Sequence, residues 1–70
     1  MTIRTLTYPQ FPNGERDYGN AIILSFDTEE LGYTVSEWKA ENEESKLEVL
    51  RETIAGLLHC EIEAEVEEEV

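Results

Sequence analysis

The chain has 70 residues, of which 40% are hydrophobic, and its seventeen acidic side chains outnumber five Lys and Arg side chains to give a net charge of −12 at pH 7. A chain of this length forms one small domain with a limited core. The charge opposes direct binding of nucleic acid or of an anionic membrane, and it favours a partner with a basic surface.

The charge is divided unevenly along the chain. In residues 1–26 two arginines balance two acids, so residues 27–70 carry the whole charge of −12. The tail that ends the chain is acidic and should fray. The expected single domain, residues 1–70, thus has three parts: a neutral strand-loop-strand region (1–26), an acidic helix and last strand (27–66) and a frayed acidic tail (67–70).

The expected compartment follows from a few local features. Met1 to Arg4 contain no apolar segment of the kind that a secretory signal needs. The longest apolar run, residues 21–24, is too short to span a bilayer. The single cysteine, Cys60, excludes an internal disulfide and fits a reducing compartment. We therefore expect a cytoplasmic protein, without a cofactor or a metal site.

Two strands are predicted in the neutral region. Residues 2–8 are rich in Thr, Ile, Leu and Tyr, which favour a strand, and Pro9 ends it. A long loop with several Pro and Gly turn signals follows over residues 9–20. Residues 21–26 form the second strand, and because both of its faces are fairly apolar, we expect it at the centre of the sheet.

Two helices separated by a break are predicted next. Ser36 can cap a short helical turn through Glu37, Trp38 and Lys39, and Thr34 with Glu37 also has the spacing of a capping box. We expect Trp38 to be a core residue at this helix start, the alternative being an exposed interface residue. In one continuous helix Trp38 would lie opposite the later apolar residues, so we expect a break at Asn42, a good N-cap residue. The main helix then covers residues 43–58. Its apolar stripe consists of Leu47, Leu50, Ile54, Leu57 and Leu58.

The last predicted strand covers residues 59–66, where apolar and acidic residues alternate. One face includes Cys60, which we expect in the core, and the other carries Glu61, Glu63 and Glu65. The order strand, strand, helix, strand predicts an α+β fold, in which a small antiparallel sheet has one main helix packed on one face.

A single helix covers only one face of a sheet, so the other face could remain open. Ile23 and part of the first strand would then point outward, with the aromatic side chains Tyr8, Phe11, Tyr18 and Trp38 nearby or in loops. Such an exposed apolar patch would be a surface for docking or dimerisation. The alternative is that the loop over residues 9–20 folds back and covers this face.

The acidic side chains form the sharpest local pattern. Alternate residues on a strand are about 6.6–6.8 Å apart, so Glu61, Glu63 and Glu65 would match every second phosphate along the axis of a DNA strand. Acids on the outer face of the helix would extend this anionic surface: Glu41, Glu44, Glu48 and Glu52. The alternative is an edge strand whose charges only prevent aggregation.

Catalysis is not expected from this sequence. The only histidine, His59, adjoins the only cysteine, Cys60. On a strand these neighbours would point to opposite faces and could not form a nucleophile–base pair. The chain also lacks a Gly-rich phosphate loop and the spacing of a calcium loop.

A resemblance to small acidic phage proteins is carried by the segment Ser36-Glu-Trp-Lys-Ala-Glu-Asn-Glu-Glu-Ser-Lys-Leu-Glu-Val-Leu-Arg51. The shared pattern is two strands, a Trp-containing turn, a Glu-rich helix start and a last strand, which covers residues 20–66 in outline. This chain differs in its longer first loop and in its lack of an aromatic cluster in the last strand. The resemblance implies a phage-like origin, and some such proteins block host restriction, CRISPR or DNA-metabolism enzymes.

Two functions follow as hypotheses. The first is a non-enzymatic inhibitor of the anti-CRISPR or anti-restriction type, which mimics DNA with its acidic surface and binds a host protein through a basic groove. The second is a small structural or adaptor module that dimerises or docks through the open sheet face. In that case the charge serves only solubility.

Overall fold

Three strands and two α-helices account for most of the chain in the computed structural model, which describes all 70 residues. In chain order the elements are β1 (Thr2–Pro9), a 3₁₀ helix (Tyr18–Asn20), β2 (Ile22–Asp27), a second 3₁₀ helix (Thr28–Leu31), α1 (Val35–Ala40), α2 (Glu43–Leu58) and β3 (Ile62–Glu69). The antiparallel sheet with one main helix confirms the predicted α+β fold.

The central strand of the sheet is β1, because the strand order is β2-β1-β3. The prediction of a central second strand is therefore wrong. Since β2 and β3 both run antiparallel to β1, they are parallel to each other on its two sides. The segment with the helices therefore forms a crossover connection from β2 to β3. The apolar composition of a strand did not indicate its position in the sheet. The apolar residues Ile22 and Ile23 of the edge strand β2 are 45% and 52% exposed, whereas the polar residues Thr5 and Thr7 of the central strand β1 are buried.

The core lies between the two helices and one face of the sheet. It consists of Ile3, Phe26, Trp38, Leu50, Ile54, Ile62 and Ala64. Trp38 is fully buried, as predicted. Its ring packs edge-on against the ring of Tyr33, with 5.3 Å between the ring centres. The hydroxyls of Thr5 and Thr7 are buried beside this core without a hydrogen-bond partner, which lowers stability.

The helix α2 begins where the sequence predicts, whereas α1 begins at Val35 with Thr34 as its N-cap, so a cap at Ser36 is wrong. The Thr34 hydroxyl accepts a hydrogen bond from the Glu37 N–H at 3.2 Å, and the Glu37 carboxylate accepts one from the Thr34 N–H at 3.2 Å. The Asn42 side chain accepts a hydrogen bond from the Ser45 N–H at 2.8 Å. These bonds satisfy donors that a helix start leaves free. They confirm the capping box, the break at Asn42 and the predicted bounds of α2.

The apolar stripe of α2 reaches the core only in its middle turns. Leu50 and Ile54 are fully buried, but Leu57 and Leu58 are 62% and 42% exposed. Leu58 instead borders an open surface groove of about 300 Å³ with Ile22. The stripe prediction is therefore wrong for the last turn, because periodicity gives the direction of a side chain and not the extent of the surface that it meets.

A turn at residues 59–61 displaces the last strand from its predicted position. His59 has φ 56°, in the left-handed region, and its N–H donates to the Ala55 carbonyl at 2.8 Å to end α2. The strand β3 consequently begins at Ile62 rather than at residue 59. Cys60 lies in this turn and is exposed, so its predicted core position is wrong.

The acidic tail belongs to the sheet. The strand β3 continues to Glu69, and Val70 exchanges two backbone hydrogen bonds with Thr2, at 2.7 and 2.8 Å. A register shift between Arg4 and Thr5 accommodates this pairing. The prediction that residues 67–70 fray is wrong because the start of β1 offers them a strand to pair with.

Candidate functional site

The loop between β1 and β2 folds back over one end of the open sheet face. The Tyr18 ring centre lies 5.0 Å from that of Tyr8, and the Arg16 guanidinium lies 5.2 Å from the Tyr8 ring centre. Strand alternation places Tyr8 on this face, away from Thr5 and Thr7. Tyr8 is fully buried, so the expectation that it belongs to an exposed apolar surface is wrong.

The rest of the open face keeps a small apolar surface. Ile23 is 52% exposed and is paired across the strands with Leu6, which is half-buried. In the loop, Phe11 and Tyr18 are exposed as predicted. Each alternative for this face thus holds in part, because the loop covers the end at Tyr8 and leaves the middle, at Ile23, open.

Arginines bind two of the three glutamates predicted to share one face of the last strand. Arg16 contacts Glu65 at 2.8 Å and Glu63 at 3.6 Å. Arg51 of α2 contacts the same carboxylate oxygen of Glu63 at 3.4 Å. The charges of Glu63 and Glu65 are therefore partly neutralised within the molecule. Glu61 lies in the turn before β3, exposed and without an ion pair, so the three glutamates are not equivalent.

The other ion pairs also go to β3. Arg4 contacts Glu68 at 3.1 Å, and Lys46 contacts Glu69 at 3.4 Å. Of the five basic side chains, only Lys39 forms no ion pair. The partners in the Arg4 pair are 64 residues apart in sequence. Sequence reasoning missed these pairs because no local pattern reports such distant contacts.

Lys46 and Glu69 also enclose the Trp38 indole. Trp38 Nε1 donates to Glu69 Oε1 at 3.4 Å, and Lys46 Nζ lies 5.5 Å from the indole ring centre. A cation over an aromatic face and a carboxylate at its N–H both suit the charge distribution of the ring. The end of β3 is thereby held against the core.

A second acidic surface, called the helix ridge below, consists of Glu44, Glu48 and Glu52 on α2. All three side chains are exposed, and they repeat every four residues, which is about 6 Å along the helix axis. None of the three forms an ion pair. Arg51, which lies three residues after Glu48, contacts Glu63 instead. Glu41, predicted in the same set, is the half-buried C-cap of α1 and lies outside α2.

The phenol of Tyr8 titrates outside its usual range. Burial and, to a smaller extent, the neighbouring Glu65 carboxylate raise the pKa of Tyr8 to about 12. The hydroxyl is buried near that carboxylate but does not meet the geometry of a hydrogen bond with it. Tyr8 is therefore a neutral packing residue near pH 7.

His59 and Cys60 both lie in the turn after α2, so the argument from opposite strand faces does not apply to them. No three His, Cys, Asp or Glu side chains are placed to hold a metal ion.

The larger of two surface grooves has a volume of about 410 Å³ and lies between α2 and β3. Neither groove places a histidine or a cysteine beside a carboxylate.

No protein-family model matches this chain, and neither a curated protein nor a solved structure does. Neither α1 nor α2 combines the length and the apolar character that crossing a membrane requires. The surfaces that remain for a functional proposal are the helix ridge, Glu61 and the open part of the sheet.

Proposed function

We propose that this protein is a non-enzymatic inhibitor that binds the basic, nucleic-acid-binding groove of another protein. The helix ridge would contact the Lys and Arg side chains of that groove and compete there with DNA or RNA. The observation that carries this proposal is that the ridge has no internal counter-ion, although four of the five basic side chains form ion pairs with β3. The protein would act in the cytoplasm.

The glutamates of the helix ridge repel one another along α2. Glutamates four residues apart on a helix repel each other by about 0.2–0.5 kcal/mol per pair. The ridge contains two such pairs, Glu44 with Glu48 and Glu48 with Glu52. A row of mutually repelling charges without an intramolecular ion pair is typical of residues kept for binding.

The spacing of the ridge suits a groove that binds phosphates. Successive ridge glutamates are about 6 Å apart along the helix, which is close to the roughly 6.8 Å between every second phosphate along the axis of a DNA strand. The net charge of −12 would also steer the protein toward a basic groove and speed association at low salt.

The glutamates of β3 contribute less to this surface than the sequence suggested. Glu63 and Glu65 are bound by Arg16 and Arg51, so a partner would have to compete with these contacts. Glu61 is exposed and remains available. The proposal therefore moves the main contact from the strand to the helix ridge.

The resemblance to small acidic phage proteins favours a host defence enzyme as the partner. Restriction and CRISPR proteins have basic grooves that hold nucleic acid, and an anionic helix could occupy such a groove without any catalytic chemistry. The proposed inhibitor is thus of the anti-restriction or anti-CRISPR type.

The proposal is tested by affinity capture from a bacterial host lysate at low and high salt, with and without competing DNA. We expect the wild type to retain a nucleic-acid-handling protein that DNA displaces, and the triple variant Glu44→Gln, Glu48→Gln, Glu52→Gln to lose it. The matched control changes three other exposed glutamates without ion pairs: Glu15→Gln, Glu29→Gln and Glu30→Gln. Equal loss in both variants would assign binding to net charge, and retention by the ridge variant would contradict the proposal.

A second function, docking through the open sheet face, is favoured by the 52% exposure of Ile23 in the middle of that face. In this case Ile23→Glu should abolish association while the ridge variant retains it. Salt separates the two functions, because charge-driven binding weakens as salt rises and apolar docking changes little.

A further inference from the structure

The outer edge of β2 carries backbone groups without a partner. The Thr28 N–H donates to the Met1 carbonyl at 3.0 Å, in line with the register that pairs Thr2 with Asp27. Hydrogen-bonded pairs alternate along an antiparallel ladder, so the groups of Ile22, Leu24 and Phe26 point toward β1. The N–H and C=O groups of Ile23 and Ser25 therefore point outward, where no other strand pairs with them.

The two edges of the sheet differ in charge. The edge strand β3 contains five glutamates in eight residues, and such charges prevent strands from pairing edge to edge. The edge strand β2 has no charged residue from Ile22 to Phe26, and Ile22 is 45% exposed. One edge is thus protected against pairing, and the other is open to it.

The charge distribution indicates which strand would pair with β2. Residues 1–26, which contain nearly all of the β1–β2 hairpin, have no net charge, whereas the rest of the chain carries −12. Two copies of the chain repel each other over most of their surface, and they can approach most easily along the β2 edge. A symmetric dimer also needs a self-complementary surface, which an antiparallel edge strand provides.

We propose that β2 pairs with β2 of a second copy, antiparallel and about a two-fold axis at Leu24. Ile23 would then face Ser25 of the second copy, which satisfies the outward backbone groups of both residues. On the helix side of the sheet, Leu24 would face Leu24 of the second copy, and Ile22 would face Phe26 of the second copy. The exposed Ile22 side chain would then be covered. This inference does not depend on the proposed function, since it concerns a different surface.

The first test is sedimentation equilibrium from micromolar to millimolar protein, with Ser25→Pro compared with Ser25→Ala. The Ser25 N–H points outward, so proline there removes no bond of the intramolecular ladder and is tolerated at an edge. We expect a concentration-dependent dimer for the wild type and Ser25→Ala, and a monomer for Ser25→Pro with an unchanged circular dichroism spectrum. If Ser25→Pro does not fold, Ser25→Lys provides the same comparison.

A monomeric wild type at every concentration would overturn the proposal, and so would a dimer that both Ser25→Pro and Ser25→Lys leave intact. Salt provides a further readout. Pairing between copies that repel each other should strengthen as salt rises, whereas binding through the helix ridge should weaken.

The register is tested by oxidative cross-linking of Leu24→Cys in a Cys60→Ser background. In the proposed register the two Leu24 positions form a non-hydrogen-bonded pair with Cα atoms about 4.5 Å apart, which is within the range of a disulfide. The control, Ile22→Cys in the same background, places the two thiols about four residues apart along the strands, beyond that range. Cross-linking of the Leu24→Cys variant alone supports the register, and cross-linking of the control alone overturns it.

Discussion

Arg16 donates a hydrogen bond from Nη1 to Oε1 of Glu65 at 2.8 Å, across 49 residues of sequence. The bond joins the loop of the neutral region to the acidic last strand. It holds the loop over Tyr8 and at the same time withdraws part of the charge of β3 from any partner. The same strand glutamates that suggested DNA mimicry thus also serve the folded state.

We predict that Arg16→Ala lowers the free energy of unfolding. The variant loses the contacts with Glu63 and Glu65 and the cation over the Tyr8 ring, which together hold the loop on the sheet. Urea unfolding measures the change. The control Lys39→Ala removes the same charge without breaking an ion pair and should change stability by less than about 0.5 kcal/mol. Equal effects of the two variants would mean that the Arg16 contacts are not stabilising.

We predict that neutralising the centre of the helix ridge raises stability while it weakens binding. The variant Glu48→Gln relieves both repulsive pairs, which should add about 0.4–1 kcal/mol to the free energy of unfolding, and it keeps Glu44 in the first turn of α2, where the helix dipole favours an anion. Thermal unfolding at low salt shows the gain, and high salt should reduce it. A variant that loses partner binding because it is destabilised would show the opposite change, so the two readouts together separate function from folding.

The raised pKa of Tyr8 predicts a loss of stability at high pH. Its pKa is about 12 in the folded protein against 10.0 for a free phenol, so the unfolded chain releases the proton first. Between pH 10 and pH 12 the folded state binds more protons than the unfolded state, and stability therefore falls as pH rises through this window. Urea unfolding across the window measures the fall, and Tyr8→Phe should reduce it.

The same variant tests the buried hydroxyl at pH 7. Because the Tyr8 hydroxyl has no hydrogen-bond partner, its removal should leave stability unchanged or raise it. A loss of more than about 1 kcal/mol in Tyr8→Phe would show that the hydroxyl is hydrogen-bonded in solution.

We predict that Gly56→Ala stabilises the protein by about 1 kcal/mol. Gly56 lies inside α2, and a Cβ atom there would meet nothing within 4 Å, so alanine gains helix propensity without a clash. Gly32→Ala is the contrasting control, because φ of 82° is strained for alanine although the space is equally open. Thermal unfolding should shift upward for the first variant and downward for the second.

The helical part of the fold could be predicted because its signals are local. The capping box of Thr34 and Glu37 and the N-cap at Asn42 act within one turn of chain, and the structure contains both. The break itself was inferred from Trp38, which in one continuous helix would lie opposite the later apolar residues. The exposed ridge glutamates of α2 were also predicted, since helical periodicity alone separates the two faces of a helix.

The arrangement of the strands could not be predicted in the same way. The position of β2 at an edge depends on the crossover, and the end of β3 depends on pairing with residues near the start of the chain. The pairing of Glu63 with Arg16 and Arg51 depends on that topology as well. The sequence therefore predicted which glutamates are exposed on the helix and the last strand. It did not predict that Glu63 and Glu65 form ion pairs and that the helix ridge does not.

The pairing of β1 with β3 also sets the order in which the chain can fold. The two strands join residues separated by 53 positions (Pro9 and Ile62) to 66 positions (Ile3 and Glu69), whereas β1 and β2 form a local hairpin. Closing so long a loop carries a large entropic cost and slows folding. We expect the β1–β2 hairpin, whose charges nearly balance, to form early and the glutamate-rich strand to dock in the rate-limiting step. Added salt should then accelerate folding, because it screens the repulsion among acids that this last step brings together.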